Sequence, residues 1–169
     1  VLIHCWPWEV AARLAEKLRC VSLMNSYEGL DIDLISVSHL RGMDSLVDHL
    51  FRLGHRKIGF AGFSESFSWV RERYAGYLDA LYRRGLAVER EDTVSMDIDV
   101  LEGRSSVKSG DIDSILSRVN NGVSAWMCVN DFVAYPLSRA LLSRGVKIPE
   151  DISLTSFDNI GAETLDCPP

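Results

Sequence analysis

The chain contains no cysteine pair at the spacing of a metal or redox motif. Its four cysteines, Cys5, Cys20, Cys128 and Cys167, lie far apart in 169 residues. Without a C-x-x-C or a Cys/His set, no structural zinc or other metal is expected. Cys5, Cys20 and Cys128 sit in apolar runs, where a free thiol behaves as a small hydrophobe, and this usage fits a reduced, cytoplasmic protein. No apolar run approaches the ~18 residues that cross a bilayer. Val1 opens on a strand-like run rather than a basic leader, so no secretory signal is expected. Positive charge is also scarce: 18 Lys and Arg against 24 Asp and Glu leave a net charge of -6. Nucleic-acid binding relies on cations that neutralise phosphates, so this acidic body is a poor DNA or RNA surface by itself. Residues 52–90 hold eight basic and four acidic groups, and residues 91–113 hold two basic and seven acidic. The basic stretch is too sparse for a nucleic-acid patch, and both read as solvated faces.

Catalytic and cofactor motifs are missing as well. Gly59 and Gly62 lack the spacing of a phosphate loop or a dinucleotide fingerprint, so no cofactor is expected. Gly62-Phe63-Ser64-Glu65-Ser66 stands at a strand-to-helix turn, as a nucleophile elbow would. Ser66 occupies the place of that motif's second Gly, however, and no His follows His55. The histidines His4, His39, His49 and His55 are dispersed, and the chain does not read as an enzyme.

What is there is an ordinary globular composition, 47% hydrophobic and 25% charged, which excludes disorder. The length suits one domain, or one and a piece of another. Strand-length apolar runs alternate with segments of helical period. Strands are expected at Val1–Cys5, Cys20–Met24, Leu34–Ser38, Lys57–Ala61, Thr93–Met96, Ala125–Val129 and Ile152–Phe157. Helices are expected from Pro7 to about Arg19 with Val10, Leu14 and Leu18 inward, over Leu40–Leu53, from Ser68 to Arg84, near 112–121, and from Asn130 to Arg144. Gly54, Gly85 and Gly145 supply their stops. Residues 97–109 read as a polar loop. This alternation predicts an α/β fold, a doubly wound, mostly parallel sheet with helices on both faces. The opening VLIHC reads as a buried strand and the closing TLDCPP as a turn, so a fragment of a longer protein is expected.

Ligands of open α/β sheets bind beyond the carboxyl ends of the strands. The residues expected there are Trp6 and Trp8, Asn25, Trp69, Asn130 with Phe132, and Asp158. Aromatic faces pack on a ring, while amides and a carboxylate hold hydroxyls, so a small polar ring-shaped ligand fits. Arg73 breaks a local rule, because a cation in the first turns of a helix opposes the macrodipole. Its alternatives are a functional role or simple neutralisation by Glu65 or Glu72. Asn130 also suits a helix cap, and Asp158 a turn with Asn159.

Four stretches carry a resemblance. They are His49-Leu50-Phe51-Arg52-Leu53-Gly54-His55-Arg56-Lys57-Ile58-Gly59-Phe60; Arg71-Glu72-Arg73-Tyr74-Ala75-Gly76-Tyr77 with Ala80-Leu81 and Gly85; Val129-Asn130-Asp131 with Ala134; and Ile148-Pro149-Glu150-Asp151-Ile152-Ser153-Leu154 through Phe157-Asp158-Asn159. In this order and spacing they resemble the LacI/GalR family of bacterial transcription regulators. The resemblance implies a two-lobed, periplasmic-binding-protein-like type I fold behind a helix-turn-helix. Residues 1–37 would be a remnant of the N-terminal lobe and 38–169 an incomplete C-terminal lobe. It places Arg73, Asn130, Asp158, Asn25 and Phe132 on effector-contact positions, with Trp69 near one. It also implies a homodimer that meets operator DNA through an N-terminal domain outside this chain. Two departures stand out. His39-Leu40-Arg41-Gly42 replaces the family's "DN-x-x-G", and Pro136 replaces a Gly, which predicts a kink that tilts Phe132.

The expected function is the effector-sensing core of a repressor that binds a small polar ligand in an interlobe cleft. The aromatic and amide set fits a sugar better than a purine. A solute-binding protein of the same fold, serving transport, is the alternative. On the first reading Arg73→Ala loses effector affinity by roughly 1.5–3 kcal/mol while DNA binding survives. The 169 residues alone would bind ligand weakly, because half the cleft is absent.

Overall fold

The structure, a computed structural model, describes residues 1–99 and 104–160. Cys167 and the expected closing turn lie outside them, as does the middle of the 97–109 segment. The chain first builds a parallel sheet in the order β1-β2-β3, with β1 at Leu2–Ile3, β2 at Val21–Leu23 and β3 at Asp33–Ile35. Helix α1, Trp8–Ala15, joins β1 to β2 directly after Pro7, where a proline is tolerated. It stops short of Arg19, and the expected inward face is corrected. Ala11 is buried and Leu14 partly so, whereas Val10 and Leu18 face solvent. A sheet of three short strands offers α1 only a narrow stripe to pack on.

From β3 the chain crosses into a second body. Helix α2, His39–Arg52, leads into β4, Ile58–Phe63, and then α3, Ser68–Arg83, leads to β5, Thr93–Ser95. After β6, Asp97–Asp99, and β7, Arg104–Ser106, come α4, Ser109–Asn120, β8, Ala125–Cys128, α5, Asp131–Ser143, and β9, Ser153–Thr155. The main sheet is parallel throughout, in the order β5-β4-β8-β9. α3 packs on β4 with α2 along it, and α4 and α5 pack on each other and on β5, β8 and β9; with this strand order, the right-handed rule for parallel crossovers assigns the two helix pairs to opposite faces. Both faces being covered, Ile58, Phe60, Ala61, Ala125, Trp126 and Met127 are all buried, as continuous apolar strands require. His55 ties the sheet at its amino end: Nδ1 lies 2.8 Å from Ser124 Oγ and Nε2 3.1 Å from Ser153 Oγ.

Two further expectations meet the structure here. The segment read as a polar loop contains an antiparallel pair, β6 with β7. Such a ribbon is held by backbone pairing and needs no apolar alternation, so hydropathy does not reveal it. The Lys108–Asp97 ion pair, 2.7 Å long, sits at the end where the ribbon joins the rest of the chain. Pro136 sits inside α5, and the helix runs on through it from Asp131 to Ser143.

The strand order places the site. From β4 the chain moves one way to β5; β8 and β9 lie the other way. The carboxyl ends of β4 and β8 therefore flank a topological switch point, where the outgoing loops diverge and leave a crevice.

Candidate functional site

Arg73 lies at that crevice, 1% exposed, on α3. Its Nη1 donates to Val129 O at 2.7 Å, just past β8. Its Nη2 donates to Asp158 Oδ1 at 2.8 Å. The carboxylate that neutralises it is thus Asp158, 85 residues away, and neither Glu65 nor Glu72. The guanidinium also lies over two aromatic faces, with Cζ 3.8 Å from the Phe157 ring centre and 4.7 Å from that of Trp69. Burial lowers the Arg73 pKa, and the Asp158 bond opposes that shift. A guanidinium stays charged under such pressure.

The third partner of Arg73 is His39. Arg73 Nε donates to His39 Nδ1 at 3.2 Å, and His39 Nε2 lies 3.2 Å from Ser36 Oγ. An arginine cannot accept, so Nδ1 must be bare and the ring proton sits on Nε2, facing Ser36. Burial first, and then the Arg73 charge, lower the His39 pKa from 6.5 to about 4. The folded value lies below the unfolded one. Stability from neutral His39 is therefore complete above pH 6.5, and is lost as pH falls through about 4. That difference corresponds to roughly 3 kcal/mol. Melting temperature should fall between pH 6.5 and 4 in the native chain. It should fall clearly less in His39→Asn, and identical profiles would show that His39 does not govern the transition.

The loop carrying Asp158 is aimed by α5. Asn130 caps that helix, its Oδ1 accepting from Val133 N at 3.2 Å. Next to it Asp131, 6% exposed, accepts from Ile160 N at 2.5 Å and from the Ser156 hydroxyl, while Asp131 N donates to Phe157 O. The Asn-Asp pair thus starts the helix and clamps the strand-end loop. Burial raises the Asp131 pKa, opposed by the Ile160 bond. Asp158 itself has φ 97°, and Met24, at the end of β2, has φ 70°. Non-glycine residues with positive φ are strained, and such strain gathers at functional sites. These two, one from each main body, line the same small cavity.

That cavity, about 80 Å³, is walled by Trp69, Arg73, Asn130, Phe132 and Asp158 on one side and by His4, Cys5 and Met24 on the other. It brings together five of the six residues read from the sequence as contact positions. It is too small for a ring, since ligand pockets run to about 300 Å³ or more. A larger cleft of about 740 Å³ adjoins it through Cys5. Trp6, Trp8 and Tyr27 line one wall, and Ser64, Phe67 and Arg71 the other. Asn25, the sixth residue, lines this larger cleft. Its Oδ1 accepts from Ser68 N at 3.0 Å and Ser68 Oγ at 3.1 Å, while Ser26 N donates to Ser68 Oγ at 2.7 Å. The end of β2 is thereby stitched to the start of α3.

His39, Phe157, Asp131 and Gly42 belong to the site and were not singled out for it in the sequence. The departure at 39–42 from the family pattern was the available signal. A Cβ on Gly42 would lie 2.2 Å from Phe157 Cε2. Only glycine on α2 lets that ring lie against the helix and under Arg73. In Gly42→Ala the ring tip must swing away, while the helix gains about 1 kcal/mol in propensity. Melting should change little, and the Arg73 side-chain proton resonances should move as the ring leaves. Unmoved resonances would show that Phe157 has another way to stay.

A family model described as a periplasmic binding protein-like domain matches residues 47–169. The chain is 29% identical over 121 residues to the HTH-type transcriptional repressor PurR of Actinobacillus pleuropneumoniae, covering 72% of this chain and 34% of PurR. It is 26% identical over 140 residues to the HTH-type transcriptional repressor CytR of Escherichia coli, covering 83% of this chain and 39% of CytR. The chain therefore spans well under half the length of these curated relatives. In fold it resembles a regulatory protein of the LacI family from Chloroflexus aggregans, with TM-score 0.76 at 21% identity over 97% of this chain and 58% of that one. It likewise resembles a sugar-binding LacI-family regulator from Escherichia coli complexed with phosphate, with TM-score 0.71 at 23% identity over 97% of this chain and 59% of that one.

Proposed function

The chain belongs to the periplasmic binding protein-like domain family, as a LacI/GalR effector-binding domain, and from this we propose that its cleft senses a small polar effector, a sugar in preference to a purine. One observation carries the reading. Arg73, Asn130 and Asp158, from three separated segments, meet with Trp69 and Phe132 around one cavity that faces a ligand-sized cleft. A paired arginine and carboxylate offers both donors and acceptors at no net charge, which suits hydroxyl groups. Trp6 and Trp8, exposed on the cleft wall, offer faces for the apolar side of a ring.

On this reading residues 1–37 belong to one lobe and 38–169 to the other, and the effector binds one lobe orientation better than the other. That differential affinity is the whole source of the signal. It passes to an N-terminal helix-turn-helix on operator DNA, in a cytoplasmic homodimer. Regulation rather than catalysis is the output.

The test is a thermal-shift panel of neutral sugars and nucleosides on the full-length protein. A ligand at a hundred times its dissociation constant adds about 2.7 kcal/mol, which raises the melting temperature by about 5–10 °C. We expect such a rise with a sugar. A rise with nucleosides alone would replace the sugar by a base-bearing effector. Silence across both classes would remove the sensor reading.

A further inference from the structure

We propose that His39 is the positioning residue of this site: it fixes the Arg73 guanidinium from behind and links it to the crossover between the two sheets. The inference rests on the cleft being the effector site. His39 is the first residue of α2, three residues after Ser36, in the segment that carries the chain from β3 into the second body. Its ring is 1% exposed and makes one polar contact at each nitrogen. Nε2–H donates forward to the crossover at Ser36, and Nδ1 accepts from Arg73 Nε. The chain of contacts then continues through the guanidinium to Asp158, whose side chain is 29% exposed and reaches the cavity. A run of hydrogen bonds thus connects the crossover segment to the polar floor of the site.

The choice of histidine has a physical consequence. Arg73 needs an acceptor at Nε to hold its plane against Phe157 and Trp69. A carboxylate there would supply it, but would also bind the charge that Asp158 now shares with the cavity. Neutral imidazole supplies the acceptor without the charge. The groups around it are Arg73 on α3, Asp158 and Phe157 after β9, Ser36 after β3, and Asp131 on α5 acting on Arg73 at longer range. Among these, Arg73 is the cation that disfavours a proton on Nδ1. The tautomer is set by the same contact that positions the arginine.

Two isosteric variants separate positioning from packing. In His39→Asn the side-chain oxygen falls near the place of Nδ1 and keeps the acceptor for Arg73, while the contact with Ser36 is lost. In His39→Gln the amide reaches toward Ser36 and the acceptor for Arg73 is lost. Nitrogen NMR of the chain without ligand should show His39 bare at Nδ1 at neutral pH. The Arg73 Nε–H signal should exchange slowly and disappear as pH falls through about 4. Asn should preserve that slow exchange, and Gln should abolish it with the fold intact by circular dichroism. A proton on Nδ1 at neutral pH, or an Arg73 signal equally protected in His39→Gln, overturns the proposal.

A second arm uses the panel compound with the largest melting shift as its probe. Calorimetry should find its affinity at least tenfold weaker in His39→Gln than in His39→Asn. Equal weakening in both would reduce His39 to a packing residue. If no panel compound binds, the effector reading fails and this arm falls with it. The NMR arm still decides whether His39 holds Arg73, so the two failures are told apart.

Discussion

Arg73→Ala is expected to unfold the chain more readily by about 1–3 kcal/mol, the cost of leaving buried acceptors without their donor, since the Asp158 carboxylate is part-exposed and can meet water. Three acceptors lose their donor at once: Asp158 Oδ1, Val129 O and His39 Nδ1. The aromatic faces of Trp69 and Phe157 lose the cation between them. Urea denaturation measures this directly. A loss below about 1 kcal/mol would show that water replaces the guanidinium without penalty. The result changes how Arg73→Ala reads as a binding experiment. Taken from sequence it is a selective loss of effector affinity with the rest of the protein intact. In the folded molecule the same side chain joins α3, the end of β8 and the loop after β9. Lost binding in this variant therefore reports on the fold as well as on contact. Arg73→Lys keeps the charge without the planar fork and should fall between the native chain and Ala.

Gly59→Ala should also destabilise strongly, by about 1–3 kcal/mol from overpacking. Gly59 stands opposite Trp126 in the parallel β4–β8 register. A Cβ on it would come within 2.6 Å, 2.7 Å and 2.8 Å of three atoms of the Trp126 ring. That indole is fully buried at the centre of the sheet, so it has no solvent to swing into. The contrast with Gly42 is instructive, because there the obstructing atoms are the tip of a ring at a part-exposed strand end. Gly59→Ala combined with Trp126→Leu should recover part of the loss, since the smaller side chain vacates the contested space. A single variant that melts like the native chain would show slack in this part of the core.

The helices show how far local pattern reaches. The expected Leu40–Leu53 and Ser68–Arg84 helices lie within one residue of α2 and α3. Met43, Val47 and Leu50 recur at helical spacing, and Gly54 and Gly85 turn the chain with positive φ. Where pattern is weak the reading drifts. α1, apolar at six of its eight positions, does not show by pattern alone which face turns inward, and it stops at Ala15. β6 and β7 are mostly polar in sequence and form a short antiparallel pair. Arg73 drew notice because it opposes the dipole of its own helix. The partner that makes sense of it, Asp158, carries no local mark that points back to residue 73.

What the residues decided alone was the succession of strands and helices, their stops, the covered α/β sheet and the kinds of side chain at its carboxyl edge. Each follows from spacing and turn chemistry within about a dozen neighbours. The tertiary structure decided which of those side chains share a cavity. It set Asp158 rather than a nearby glutamate on Arg73, gave His39 its tautomer, and turned Asn25 toward Ser68. Those outcomes depend on strand order. The sequence pattern calls for parallel strands and crossovers, but the neighbours of β4 and β8 emerge only when the whole core closes.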